Sequence, residues 1–279
     1  MPRFTTSDGL SLHYTDHGQG PALLCLPGLT RNASDFDYVM PHLTGMRVIC
    51  PDYRGRGQSD WTEDYGTYSI PQETQDVIAL LDHLGIDRAA ILGTSRGGLI
   101  ALTLAALVPD RVAGVCFVDI GPVIETDGLA TILGFIGLNP IWKTLDEAAE
   151  VFGSRIQGFD NVPASRWREE VEKHFVPTSS GLKINYDPKL RDAVLESYDP
   201  DAPAMDLWPL FDALATAPVA AIRGANSDLM SAQTLQDMQN RRPDMVAATI
   251  PDRGHVPFLD EDASVAVIKD WTALLGAQT

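Results

Sequence analysis

The sequence predicts an α/β architecture: a mostly parallel sheet with helices on both faces, interrupted by one inserted helical segment. Three observations lead there. Short apolar runs alternate with helix-like patterns over residues 1–121. The runs are apolar throughout rather than at every second position, which marks strands buried on both faces, as in parallel sheets. The alternation stops after Gly121-Pro122 and resumes at Pro218.

The first such strand is Ala22-Leu23-Leu24-Cys25-Leu26, followed by a helix over 34–43 and the strand Arg47-Val48-Ile49-Cys50. The spacing predicts a longer helix over 71–84, with Val77, Ile78, Leu80, Leu81 and Leu84 on one stripe and Gly85 ending it. Next come a strand at 89–92, a helix at 99–107 and a strand at 112–118. Residues 122–209 carry helix-like stretches and prolines but no buried-strand run, and are read as a helical cap inserted into a core of 1–121 and 210–279. Of its aromatics Trp142, Phe152, Phe159, Trp167 and Phe175, most are expected to hold the cap together and one or two to line a pocket. A strand at 218–222, a helix at 231–240, a strand at 245–250 and a helix at 265–275 close the chain.

At 279 residues the chain is long enough to bury a large core. A net charge of −17 argues against nucleic acid and anionic membrane as partners, since both require basic clusters. The sequence holds no apolar run near the roughly 18 residues that cross a bilayer. Its first residues, Met1 to Asp8, lack the apolar core of a signal peptide, so a cytoplasmic location is expected. An acidic substrate would need a local arginine, for which Arg31, Arg96, Arg155 and Arg166 are candidates; all but Arg96 read better as surface charge. Cys25, Cys50 and Cys116 fall in strand-like runs without metal or disulfide spacing, and are expected to be buried thiols. The oligomeric state is not legible.

Between the strand at 89–92 and the helix at 99–107 stands Gly93-Thr94-Ser95-Arg96-Gly97. Glycines two residues either side of a serine permit the sharp, strained turn of a nucleophile elbow, which projects the hydroxyl into open space at a helix N-terminus. A serine hydroxyl is a poor nucleophile until a base takes its proton, and the imidazole that does so needs an acid to fix its tautomer. Enzymes with this elbow follow the chain order serine, acid, histidine. His255, in Arg253-Gly254-His255, and Asp228, in Asn226-Ser227-Asp228, both follow carboxyl ends of predicted strands, where open sheets place their sites. Asp119, at the end of its own strand, is the second candidate acid. His13, His17, His42, His83 and His174 match the required position less well. An oxyanion hole needs backbone N–H groups, one from Arg96, after the serine, and one from Leu29 in Leu26-Pro27-Gly28-Leu29, since Pro27 has none to give.

On these motifs, together with Asp52-Tyr53-Arg54-Gly55-Arg56-Gly57-Gln58-Ser59-Asp60, which is similar to an Asp-x-Arg-Gly-x-Gly-x-Ser-Asp loop, the chain resembles the capped α/β-hydrolase-fold enzymes over its whole length. That family includes carboxylesterases, enol-lactonases and carbon–carbon bond hydrolases. The resemblance implies an eight-stranded, mostly parallel sheet and assigns the Arg54 loop a structural role beneath the site. Pro27-Gly28 stands where many members have His-Gly, and the Gly-rich loops of lipase relatives and carbon–carbon hydrolases are missing. Ser95 speaks against dehalogenases and epoxide hydrolases, which use aspartate there, and dienelactone hydrolases, which use cysteine. The expected activity is hydrolysis of a small-molecule ester or lactone: Ser95 attacks, His255 moves the proton, Asp228 orients His255, and Leu29 and Arg96 hold the oxyanion, with no metal or organic cofactor. Carbon–carbon cleavage of a keto acid with the same triad, a small-molecule receptor on a hydrolase scaffold, and cofactor-free perhydrolysis stay open.

Overall fold

In the computed structural model, which describes residues 1–199, 205–214 and 216–276, the chain opens with β1 (Arg3–Thr5), β2 (Ser11–Gly18), β3 (Ala22–Leu26) and β4 (Arg47–Pro51). Then come α1 (Ile70–His83), β5 (Ala89–Thr94), α2 (Arg96–Leu107) and β6 (Val112–Val118). An insertion follows, with α3 (Thr126–Phe135), α4 (Leu145–Arg155), α5 (Ala164–His174), β7 (Phe175–Thr178), β8 (Gly181–Ile184) and α6 (Leu190–Ser197). The chain returns through α7 (Trp208–Asp212), β9 (Val219–Gly224), α8 (Ala232–Arg241), β10 (Val246–Ile250) and α9 (Asp262–Gly276). Eight strands form one sheet in the order β1-β2-β4-β3-β5-β6-β9-β10. The pairs β1/β2 and β2/β4 are antiparallel and the others parallel. This is the α/β-hydrolase architecture.

The two faces of the sheet bury alternate residues of the same strands. On one, Leu24, Ile91, Val115 and Ala221 pack against Val77 and Leu81 of α1, Ile100 and Leu104 of α2, Phe211 of α7 and Met238 of α8. On the other, Leu23, Cys25, Leu92, Cys116 and Ile222 meet Phe36, Val39 and Leu43, with Val267, Ile268 and Trp271 of α9. That is why these strands are apolar throughout: each neighbouring pair of residues serves both layers. Cys25, Cys50 and Cys116 are buried free thiols within these layers.

The helix expected over 34–43 is instead two short 3₁₀ turns, Ala33–Phe36 and Met40–His42. Pro41 is the physical reason, because it lacks an N–H and its ring clashes with the preceding turn of an α-helix. The antiparallel β1 and β2 had no counterpart among the individual strands read from the sequence. The insertion is helical as expected but also carries the antiparallel hairpin β7/β8, whose Leu182 and Ile184 are buried. Residues 200–204 of the span read as cap lie outside the described residues. Its aromatics do pack on one another: Trp142 meets Phe152 and Phe175, and Phe152 meets Trp167. Among the described residues no helix is long and apolar enough to cross a membrane.

Candidate active site

Strand β5 ends at Thr94, and α2 begins at Arg96, so the chain reverses at Ser95. The turn holds Ser95 at φ 50°, ψ −114°, a left-handed backbone rarely taken by a residue with a side chain. Two hydrogen bonds sustain it: Ser95 N–H donates to the Val118 carbonyl at 3.0 Å, and Gly98 N–H to the Ser95 carbonyl at 2.9 Å. A Cβ at Gly93 would stand 2.8 Å from the Gly97 carbonyl carbon, and one at Gly97 would overlap the Leu26 carbonyl oxygen. Glycine at both positions is what lets strand, turn and neighbouring strand approach so closely.

His255, on the loop after β10, comes to Ser95 from the other side, with Nε2 3.0 Å from Ser95 Oγ. Its loop is fixed from below. Asn226 N–H donates to the Arg253 carbonyl at 2.8 Å, and Glu261 accepts from the N–H groups of Phe258 and Leu259 and from Arg253 Nε. Glu261 carries no distinctive signal in the sequence, because a glutamate near the start of a helix is commonplace.

The carboxylate that meets His255 is Asp119, not Asp228. Asp119 Oδ2 lies 2.8 Å from His255 Nδ1, while Oδ1 accepts the Gly224 N–H at 2.7 Å. The residue is fully buried and left-handed, at φ 54°, immediately after β6, with its own N–H bonded to the Ile222 carbonyl at 2.7 Å. Asp228 is exposed on the turn that receives α3: its carbonyl accepts the Gly128 N–H at 3.0 Å, and its carboxylate accepts the Thr131 hydroxyl at 3.3 Å. The expectation for Asp228 is thereby corrected. The left-handed turn at Asp119 aims its side chain across the sheet end toward β9 and β10, whereas Asp228 is committed to the insertion.

Gly28 lies next to Ser95, since a Cβ built there would stand 3.9 Å from Ser95 Cβ. This brings the Leu29 loop and the first residue of α2 to the serine. The Arg96 guanidinium is not free for a substrate: its Nε donates to Glu73 at 2.5 Å and Nη2 to the Tyr68 carbonyl at 3.1 Å. Arg31 is paired with Asp35 and Glu170, and Arg166 with Asp260; Arg155 is exposed. Arg54 is fully buried, donating to Asp76 at 2.7 Å and to Asp8 at 2.8 Å, as befits the structural loop. Asp52 of the same loop accepts from Ala33 N–H, Gln58 N–H and His13 Nδ1.

Phe159 and Trp167 of the insertion pack against Phe258, three residues beyond His255, tilted and edge-on with ring centroids 5.5 and 6.1 Å away. Phe159 also lies over Gly254. Both of these aromatics of the insertion thus reach the loop that carries His255. A groove of about 540 Å³ bordered by Asn32, Tyr38, Gln58, Glu172 and Lys173 does not include Ser95, Asp119 or His255, so its size carries no weight in locating the chemistry.

The elbow, the histidine loop and the sheet order define a class, and the chain belongs to it: the model of the α/β hydrolase fold family matches residues 21–262. The protein is a hydrolase of this family. It is 34% identical over 253 residues to the 3-hydroxybutyrate-oligomer hydrolase of Cupriavidus necator, spanning 88% of this chain and 86% of that one. It is 27% identical over 270 residues to the 2-(acetamidomethylene)succinate hydrolase of Mesorhizobium japonicum, spanning 96% of this chain and 92% of that one. Among solved structures, an α/β hydrolase from Novosphingobium aromaticivorans superposes with a TM-score of 0.90 at 39% identity, covering 98% of this chain and 97% of that one.

Proposed function

We propose that the protein hydrolyses a small-molecule carboxylic ester or lactone through an acyl-enzyme on Ser95. The observation that carries this reading is the continuous relay from Ser95 Oγ through His255 to the buried Asp119 carboxylate, at 3.0 and 2.8 Å. With Asp119 accepting from Nδ1–H, the neutral imidazole keeps Nε2 free as the base for the Ser95 proton. Ser95 attacks the carbonyl carbon, and the N–H groups of Leu29 and Arg96 stabilise the oxyanion. His255 then gives the proton to the leaving alcohol, and water deacylates the enzyme with His255 again as base. Residues 122–209 act as the cap that sets specificity, with Phe159 and Trp167 at its edge over the histidine loop.

The resemblance to the Cupriavidus necator enzyme favours esters of short hydroxy acids within this class. The Mesorhizobium japonicum relative favours a second reading, in which the same relay serves an acidic substrate that is not an ester.

The test is pre-steady-state hydrolysis of p-nitrophenyl butyrate by the native chain and Ser95→Ala, with intact-mass detection of the trapped intermediate. A burst and a mass gain of one acyl group, both lost in Ser95→Ala, are expected. A panel of 3-hydroxybutyrate dimers and trimers, lactones and a dienoic keto acid then separates the substrate classes. Equal rates for both proteins and no burst would overturn the reading.

A further inference from the structure

The oxyanion site of the proposed mechanism has two halves far apart in sequence, the loop after β3 and the first residue of α2. Donors of this kind work only if held against rotation at the place where charge develops. The loop half is held by its carbonyls. Tyr53 Oη donates to the Pro27 carbonyl at 3.2 Å, Arg31 N–H to the Gly28 carbonyl at 3.1 Å, and Arg56 Nε to the Leu29 carbonyl at 3.0 Å. With all three engaged, the peptide that carries the Leu29 N–H cannot turn freely.

Arg56 is itself fully buried, between the rings of Tyr53 and Tyr68, and its charge is met by Glu73 at 2.8 Å. The two groups form a fully buried ion pair, with neither side chain reached by solvent. The other oxygen of Glu73 accepts from Arg96, whose backbone N–H is the second oxyanion donor. One fully buried carboxylate on α1 thus joins both halves.

We propose that Glu73 is a positioning residue for the oxyanion site, bracing Leu29 through Arg56 and the start of α2 through the side chain of Arg96. A buried ion triad is a weak source of stability, because desolvation consumes most of its Coulomb energy. Its yield here is geometry: the carboxylate fixes the two guanidinium groups that in turn hold the Leu29 loop and the start of α2. This inference rests on the Ser95 acyl-enzyme reading.

Glu73→Gln keeps the volume and removes the charge. Its kcat for p-nitrophenyl butyrate is expected to fall at least about tenfold with KM within about twofold, the pattern of an interaction made only in the transition state. Affinity for an aryl trifluoromethyl ketone, which forms a tetrahedral oxyanion on the serine, is expected to fall by the same factor, while butyrate binding as product stays unchanged. Arg96→Met breaks the same brace from its less buried end and gives the same split if Glu73→Gln does not fold. The double variant is expected to lose no more than the worse single one. A kcat within twofold of the native value in a folded variant, a loss confined to KM, or an undiminished ketone affinity overturns the proposal. Fluorophosphonate labelling of the native chain separates the two readings. No label on Ser95 removes the serine-hydrolase reading itself, whereas a labelled Ser95 with silent Glu73 and Arg96 variants removes the brace alone.

Discussion

Asp119→Asn is the sharpest probe of the acid, because the structure dictates how the amide must sit. The Asp119 Oδ1 position receives the Gly224 N–H at 2.7 Å, so the amide oxygen stays there and the NH₂ faces His255 Nδ1. The reverse orientation would set two donors against each other in a fully buried site, at a cost of about 1–3 kcal/mol. With an NH₂ opposite, Nδ1 must accept and the ring proton moves to Nε2, where it points at Ser95 Oγ and blocks the base. The expected loss in kcat is about 10³ to 10⁴, or roughly 4–5.5 kcal/mol of barrier. Asp228→Asn removes an exposed group with one 3.3 Å bond to Thr131 and is expected to stay within about twofold of the native rate. Steady-state hydrolysis of p-nitrophenyl butyrate at pH 8, with melting curves of each variant, measures both. An Asp119→Asn enzyme within tenfold of native activity, or an Asp228→Asn enzyme as impaired as it, would refute the assignment.

Two further outcomes concern the framework. Gly97→Ala is expected to cost at least about 3 kcal/mol or abolish folding, because the new methyl meets the Leu26 backbone and its Cβ at 2.8 Å with no flexible atom to yield; a urea midpoint unchanged from the native chain would contradict it. Burial raises the pKa of Glu73, and the guanidinium groups of Arg56 and Arg96 outweigh that and leave it below its ordinary value. The unfolded chain therefore protonates this group first as pH falls. Its contribution is fully present above about 4.5 and is lost as pH drops through the folded value. The stability gap between the native chain and Glu73→Gln, measured in urea at pH 6.5 and pH 4, is expected to narrow on acidification, and a constant gap would show that the charge does not contribute.

Most of the framework was legible because it rests on periodicity and on glycine. The continuous apolar runs at 22–26, 89–92 and 112–118 are what a doubly covered sheet requires, and each is a strand here. The Ser95 elbow was legible because sterics leave no alternative to Gly93 and Gly97. What escaped was set by tertiary contact. The hairpin β7/β8 begins with Phe175-Val176-Pro177, mostly exposed, and a short exposed strand shows no core pattern. The brace around Glu73 escaped for the same reason. A glutamate in an early turn of an amphipathic helix reads as solvated charge, and only the arrival of Arg56 from the loop after β4 and of Arg96 from the start of α2 makes it a buried partner of both.

The acid shows most clearly where sequence reasoning ends. Asp119 and Asp228 both satisfy the order serine, acid, histidine, and both follow carboxyl ends of parallel strands. The difference lies in one backbone dihedral. At φ 54° the chain after β6 turns left-handed, which aspartate tolerates better than most residues because its short side chain bonds locally. That turn places Oδ1 on the Gly224 N–H and Oδ2 on His255 together. A carboxylate fixed at both oxygens in a dry site cannot swing away to water, which is what orienting an imidazole requires. Asp228, four residues beyond β9, has no such second anchor. The strand end that places Asp119 is thus beside β5 in the sheet, and Ser95 and Asp119 are held by neighbouring strands, with Ser95 N–H bonded to the residue directly before Asp119. Movement of Ser95 against Asp119 is therefore limited by a backbone hydrogen bond of 3.0 Å, a constraint that a carboxylate on the β9 loop would lack.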